Sequence, residues 1–237
     1  MGVSGAPIAV ALDAPDLSTL SAWAGAVGPH VSTLKVGLET YLRDGRDAVA
    51  AARTAAPSCA LFLDLKLHYI PATVAGAARA VSDLTPDFLT VHASGGPAMV
   101  SAAAEALPDT RIVAVTVLTS LSTQDLQALD LLGSGVDSAG ALAVHLATTA
   151  VDAGARAIVC SPQEVGDVRA ALAGRDVVLI TPGVRPAGSD AGDQRRIATP
   201  REAIAQGADL LVIGRPITAA ADPGAAAAAI ASDLAHA

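Results

Sequence analysis

Residues 61–73 read LFLDLKLHYIPAT, and they show the pattern that recurs along the rest of the chain. Leu61 to Leu65 is a short apolar run that contains one carboxylate, which is typical of a buried strand with charge near its C-terminal end. Ile70 and Pro71 stop the strand, and an alanine-rich helical segment follows over residues 72–82. The stretch is therefore predicted to be one strand-helix unit with reactive groups where the strand ends.

The same alternation of strand and helix recurs along the whole chain. The predicted strands are short and rich in β-branched residues: Ile8 to Leu12, Thr33 to Val36, Leu61 to Leu65, Phe88 to Val91, Ile112 to Val117, Ala157 to Cys160, Val177 to Ile180 and Leu210 to Ile213. Helical segments are predicted near 17–27, 39–55, 72–82, 96–106, 139–153, 163–172, 200–206 and 222–235. Eight such units predict an α/β fold, a single-domain (β/α)8 TIM barrel over residues 1–237, because doubly wound sheets usually have fewer strands.

Composition excludes several classes of protein. Hydrophobic residues make up 52% of the chain and aromatic residues 2%, so the core must be built from aliphatic side chains, as in parallel α/β proteins. The formal net charge of −8 argues against a nucleic-acid surface. Cys59 and Cys160 lie in apolar runs without metal-ligand spacing, and neither a leader nor a membrane span is evident. We expect a cytoplasmic protein with no nucleic-acid or membrane partner.

Charged residues recur at the ends of the first three predicted strands. Asp13 follows the first strand, Lys35 lies in the second, and Asp64 and Lys66 lie two residues apart at the end of the third. In a barrel these side chains converge at one mouth, where they would perturb one another's pKa values and supply groups for proton transfer. The alternative interpretation is a salt-bridge network at the barrel rim.

A second group of residues follows the last two predicted strands. It comprises TPGVR at 181–185, Asp193-Gln194, and GRP at 214–216. Glycines let backbone amides approach an anion, arginines supply forked donors, and the loops after strands seven and eight of a barrel often bind phosphate. The alternative is that the glycines serve only as turns and the arginines as surface residues.

Further features accompany these two groups of residues. The long non-periodic stretches 119–138 and 182–196 are interpreted as functional loops on the active-site side of the barrel. His68 and His92 have no evident partner and receive no catalytic role. The chain has no dinucleotide fingerprint, serine nucleophile elbow or metal triad, so a reaction without cofactor or metal is the simplest interpretation.

Taken together, the motifs resemble the orotidine 5'-phosphate decarboxylase family. The similar stretches are VALD at 10–13, LKVG at 34–37, FLDLKLH-IP-T at 62–73, VHASGG at 91–96, VTVLTS at 115–120, VCS at 159–161, TPGVRP at 181–186, DQRR at 193–196 and IGRPIT at 213–218. The resemblance implies a homodimeric barrel with sites at the subunit interface. It also implies a pyrimidine nucleoside monophosphate, orotidylate or UMP, as ligand, and decarboxylation of orotidylate without a cofactor.

The resemblance also implies a role for each matching residue. Asp13 and Lys35 would contact the ribose, and Asp64 would lie beside the substrate carboxylate. Lys66 would be the acid that protonates C6 as CO₂ leaves, a step that requires electrostatic stabilisation and prompt proton delivery. The remaining binding residues would be Thr119 and Ser120 near the pyrimidine, Thr73 reaching across the dimer, and Arg185, Gln194, Gly214 and Arg215 on the phosphate.

The chain departs from the family at Tyr69. The family's motif is Asp-x-Lys-x-x-Asp, in which the second Asp reaches into the active site of the neighbouring subunit. In this chain Tyr69 occupies the position of that second Asp. Ala72 occupies the position of the usual Asn. Lys35, Asp64 and Lys66 then sum to +1, which should depress a lysine pKa. Besides an orotidylate decarboxylase of reduced turnover, two alternatives stay open: a diverged paralogue acting on another nucleotide or sugar phosphate, and a non-catalytic nucleotide-binding protein.

Overall fold

Eight parallel strands form a closed barrel in the order of the sequence, which confirms the predicted (β/α)8 fold. The computed structural model describes residues 5–133, 135–186 and 198–235. Pairing of the first strand with the last, with Ile8 opposite Leu211, closes the barrel. The strands are β1 (Ala6–Ala11), β2 (Val31–Gly37), β3 (Ala60–Leu67), β4 (Phe88–His92), β5 (Arg111–Val115), β6 (Ala157–Val159), β7 (Val178–Thr181) and β8 (Leu210–Ile213).

Helices separate consecutive strands, and they differ from the prediction at 39–55, in the stretch 119–138 and at the short helix 215–218, which was not predicted. The described residues form α1 (Leu17–Val27), α2 (Leu38–Asp44), α3 (Arg46–Ala55), α4 (Pro71–Ala80), α5 (Pro97–Ala106), α6 (Thr123–Ala128), α7 (Ala139–Asp152), α8 (Val165–Ala171), α9 (Pro200–Ala205), α10 (Arg215–Thr218) and α11 (Pro223–Ala235). The predicted helix 39–55 is broken at Gly45, where φ is +58°. The stretch 119–138 contains α6, which begins with a capping box of Ser122 and Asp125.

The core has two layers because side chains alternate along each strand. One set faces the barrel interior, where the rings of Phe62 and Phe88 lie 5.6 Å apart between centroids. The other set packs between the strands and the helices and is aliphatic, with residues such as Leu63, Leu89 and Ile158 fully or almost fully buried. This alternation determines which residue at each strand end points into the mouth of the barrel.

The third strand is irregular where it pairs with the fourth. Leu63 lies opposite Leu89 but Leu67 lies opposite Val91, so β3 uses four residue steps where β4 uses two. Within this bulge, Lys66 has a φ of +49°, in the left-handed region that a side chain disfavours by roughly 1–2 kcal/mol. The bulge therefore lifts the end of β3 out of the regular ladder and towards the mouth.

No helix in the described ranges is both long enough and apolar enough to cross a membrane.

Candidate active site

A cavity of 540 Å³ opens at the C-terminal end of the barrel, a size suited to a small ligand. Four cationic and three acidic side chains belong to its described lining, which favours an anionic ligand. The cavity brings together eight of the residues singled out from the sequence: Asp13, Lys35, Asp64, Lys66, Thr119, Arg185, Gly214 and Arg215. Residues from the ends of β1, β2, β3, β7 and β8 and from the segment after β5 thus meet around one space.

Asp64 lies between the two lysines of the chain. Its Oδ2 is 3.1 Å from Lys35 Nζ, and its Oδ1 is 2.8 Å from Lys66 Nζ. Lys35 Nζ is also 3.7 Å from Asp13 Oδ1. The side chains of Lys35 and Asp64 are each 9% exposed, whereas that of Lys66 is 32% exposed and faces the cavity. Lys35 and Lys66 are the only lysines in the sequence.

Gly37 makes room for this charged group. A Cβ atom at Gly37 would lie 2.7 Å from Lys35 Nζ and 2.8 Å from Asp13 Oδ1, both closer than real Cβ contacts. Any larger residue would therefore push the ammonium and the carboxylate apart.

The electrostatics of the group keep its members charged. Burial alone would raise the pKa of Asp64, but Lys35 and Lys66 outweigh burial and lower the pKa to about 2. Burial would lower the pKa of Lys35, yet Asp64 and Asp13 raise it above its ordinary value. The expectation of a depressed lysine pKa is therefore wrong for Lys35. The +1 count behind it omitted Asp13, which brings the formal charge of the four groups to zero.

The side chain of Thr90 holds the end of β3 in place. Its hydroxyl accepts a hydrogen bond from the Lys66 backbone N–H at 2.7 Å and donates one to Asp64 Oδ1 at 3.0 Å. Thr90 is fully buried on β4. It was not singled out from the sequence, because its importance arises from pairing with a bulge that no local pattern reveals.

The opposite wall of the cavity carries the arginines of the second sequence group. Gly183 has a φ of +76°, which favours glycine, and Arg185 behind it is 9% exposed. The Arg185 backbone N–H donates a hydrogen bond to Ala198 O at 2.9 Å. This bond joins the described residues that lie on either side of positions 187–197. Gln194, together with Asp193, lies outside the described residues. Gly214 and the exposed Arg215 follow β8 directly.

Three predicted site residues do not belong to the described lining of the cavity. Ser120, Thr73 and Tyr69 are all exposed, and the residue Tyr69 is 66% exposed. Tyr69 and Thr73 lie in the βα connection after β3 and in the first turn of α4. Their predicted roles, including those of Tyr69 and Thr73 across a dimer, stay predictions.

Sequence reasoning missed most of the apolar wall of the cavity. Phe62 could have been found, because it lies two residues before Asp64 and shares its face of β3. Glu39, at the start of α2, carried no signal in the sequence. The remaining lining residues to which the sequence analysis gave no role are Ala11, Val115, Val117, Leu118, Val159, Cys160, Pro182 and Val212.

The histidines near the mouth are partners of each other, contrary to the expectation from the sequence. The rings of His68 and His92 lie 5.4 Å apart between centroids. Burial lowers the pKa of His92, and the nearby His68 and Lys66 lower it further. Among the described residues, no group of three or more His, Cys, Asp or Glu side chains is placed to hold a metal ion.

Comparison with known proteins finds relatives that span nearly the whole chain. A protein of Thermobifida fusca named orotidine 5'-phosphate decarboxylase is 66% identical over 229 residues, covering 97% of this chain and 96% of the relative. A protein of the same name from Frankia casuarinae is 54% identical, covering 97% of this chain and 88% of the relative.

Solved structures give the same result. The crystal structure of orotidine 5'-phosphate decarboxylase from Lactobacillus acidophilus has a TM-score of 0.80 and 33% sequence identity, covering 97% of this chain and 99% of that chain. Residues 6–230 also match a family described as "Orotidine 5'-phosphate decarboxylase / HUMPS family". The chain therefore belongs to the orotidine 5'-phosphate decarboxylase / HUMPS family.

Proposed function

We propose that this chain, acting as one barrel domain, decarboxylates orotidine 5'-phosphate to UMP in pyrimidine nucleotide biosynthesis. The observation that carries the proposal is the cavity in which Asp64, paired with two lysines, and the two arginines of the second sequence group are brought together. The names and high identity of the relatives support the same reaction. They do not favour a diverged paralogue or a non-catalytic binding protein.

In the proposed reaction, the bond between C6 and the carboxylate breaks and its electron pair stays on C6. The Lys66 ammonium then gives a proton to C6, which yields UMP and CO₂. The Asp64 carboxylate, ionised at neutral pH, would lie beside the substrate carboxylate and repel it until CO₂ leaves. Lys35 and Asp13 would bind the ribose hydroxyls. Every group that moves a proton or stabilises charge in this scheme is a side chain of the protein.

The arginine side of the cavity would grip the phosphate. Arg185 and Arg215 offer guanidinium forks, and Gly214 leaves its backbone open to a close anion. Thr119 lines the cavity beside apolar residues suited to a pyrimidine ring. Ser120 and Gln194 complete the proposed binding set on the strength of the family resemblance alone. Binding energy at the remote phosphate would hold the substrate carboxylate against Asp64.

We also propose that the protein is a cytoplasmic homodimer whose interface covers the mouth of the barrel. The support is a set of large apolar side chains that are exposed in one protomer and follow β2, β3 and β5, all at the same end of the barrel: Leu38, Leu42, Tyr69, Ile70, Leu118, Leu129 and Leu131. In such a dimer, Tyr69 and Thr73 would reach the neighbouring site.

Replacing Lys66 with Met tests the proposed acid. The loss of orotidylate absorbance should show turnover by the parent protein. The variant should lose roughly 10²–10⁴-fold in kcat, because it keeps the length of the side chain but has no proton to give. A variant that keeps the parent kcat would contradict the role of Lys66.

The same assay on the Tyr69→Asp variant tests the departure from the family motif. Turnover should rise, because the change adds the carboxylate that the motif has at this position. If neither the parent nor this variant decarboxylates orotidylate while both still bind UMP, the proposed reaction is wrong.

Replacing Arg215 with Ala tests the phosphate grip. Calorimetric titration should show UMP affinity falling roughly 10- to 100-fold, because a charge-assisted contact is lost. Affinity for uridine, which has no phosphate, should not change. Arg201→Ala is the matched control, since Arg201 pairs with Asp233 on the surface. Equal losses for UMP and uridine would argue against a phosphate contact.

Replacing Asp64 with Asn tests its ionisation. The folded pKa of about 2 lies below the ordinary value of 3.8, so the ionised carboxylate contributes stability above about pH 4, and this contribution is lost as the pH falls towards 2. The difference in unfolding free energy between parent and variant should be constant from about pH 5 to 7 and should shrink by about 2 kcal/mol on acidification. Urea titrations measure it, and a difference independent of pH would contradict the assignment.

Replacing Leu42 with Glu tests the proposed interface. Leu42 is 79% exposed in one protomer, so the substitution should leave the fold intact but place a charge in the apolar contact. Sedimentation equilibrium should show a dimer for the parent and a shift towards monomer for the variant. Ala173→Glu, an exposed position between α8 and β7 at the other end of the barrel, should stay dimeric. A monomeric parent would overturn the proposal.

A further inference from the structure

Thr90 touches the two most important residues of the site without lining the cavity. Thr90 is fully buried. It shares the interior face of β4 with Phe88 and His92, which lie two residues before and after it. Its hydroxyl contacts the backbone of Lys66 and the carboxylate of Asp64 at 2.7 and 3.0 Å. A residue that only filled this space would need no hydroxyl.

The bulge in β3 explains why a hydroxyl is useful at this position. Between Leu63 and Leu67 the backbone ladder with β4 is interrupted, and Lys66 has a φ of +49°. The Lys66 N–H, at the centre of this interruption, donates to the Thr90 side chain. Burying that N–H without an acceptor would be unfavourable, so the hydroxyl stabilises the backbone conformation that carries Lys66.

The same hydroxyl also fixes the direction of the Asp64 carboxylate. A threonine hydroxyl has one proton and two lone pairs, so accepting from Lys66 leaves its proton for Asp64 Oδ1. Oδ1 thus accepts hydrogen bonds from the Thr90 hydroxyl and from Lys66 Nζ, while Oδ2 forms the ion pair with Lys35 Nζ. With Oδ1 held from two sides, the carboxylate cannot rotate without breaking a hydrogen bond.

We propose that Thr90 is a positioning residue: its hydroxyl holds the Asp64 carboxylate and the backbone of Lys66 in the relative orientation that proton delivery to the substrate requires. Its catalytic consequence rests on the proposed decarboxylation, whereas the two contacts can be tested without turnover. Thr90 acts through its neighbours, because it is not part of the described cavity lining.

Paired substitutions test the catalytic part. Thr90→Val keeps the shape and removes the hydroxyl, whereas Thr90→Ser keeps the hydroxyl. We expect Thr90→Val to lower kcat roughly 10- to 100-fold with KM changed less than about threefold, and Thr90→Ser to recover most of the loss. Thr110→Val is the matched control, because Thr110 is also buried and donates to Pro86 O at 2.8 Å near the start of β5. It should leave kcat unchanged.

The lysine content of the chain allows a direct readout of the contact. Labelling with ¹⁵N-lysine gives two backbone amide signals, from Lys35 in β2 and Lys66 in β3. In the parent, the Lys66 amide proton should exchange slowly with solvent. In Thr90→Val it should move upfield and exchange faster, while the Lys35 amide, away from the substituted contact, serves as the internal reference. Thr90→Ser should resemble the parent.

The outcomes separate this inference from the proposed reaction. An unchanged kcat in Thr90→Val, or equal losses in Thr90→Val and Thr90→Ser, would overturn the positioning role. Rapid exchange of the Lys66 amide in the parent would overturn it without any variant. If the parent does not decarboxylate orotidylate, the proposed reaction fails. The hydrogen bond is then judged by the amide signals alone, and a Lys66 signal unaffected by Thr90→Val overturns it.

Discussion

The site depends on two ion pairs, one between Asp64 and Lys35 and one between Asp64 and Lys66. The Asp64 carboxylate lies 3.1 Å from Lys35 Nζ and 2.8 Å from Lys66 Nζ at the mouth of the barrel. Removing Asp64 would leave the buried Lys35 with only the more distant Asp13, and removing Lys35 would leave the buried Asp64 with only Lys66, and either change is more costly than losing a surface ion pair. Asp13 adds a second carboxylate near Lys35, at the more exposed edge of the group.

The rest of the barrel can be understood as support for this group. β2 presents Lys35 and then Gly37, which leaves space for the ammonium, and β3 presents Asp64 within its bulge. The aliphatic layer between strands and helices keeps these strand ends rigid, since packed interiors deform little.

Much of this arrangement could be read from the sequence, and the failures have physical causes. Strand and helix alternation is a local signal, so it predicted the barrel and placed Asp13, Lys35, Asp64 and Lys66 at strand ends. Thr90 could not be predicted, because its role depends on the register between two strands. The pKa of Lys35 is raised rather than depressed, because burial, which lowers it, is outweighed by Asp64 and Asp13, whose distances from Lys35 the sequence does not give. Gly45 was read as part of a continuous helix although glycine commonly ends one.

Because the chain has only two lysines, proteolysis after lysine can measure how readily the barrel opens. All cationic side chains other than Lys35 and Lys66 are arginines, and both lysines lie in barrel strands of the charged group. A protease that cleaves only after lysine therefore has two possible cleavage positions, and both belong to the central sheet. Cleavage after Lys35, in the middle of β2, requires the barrel itself to open, whereas cleavage after Lys66 requires only the bulged end of β3 to open. The rate of cleavage after Lys35 would therefore report the free energy of opening the barrel.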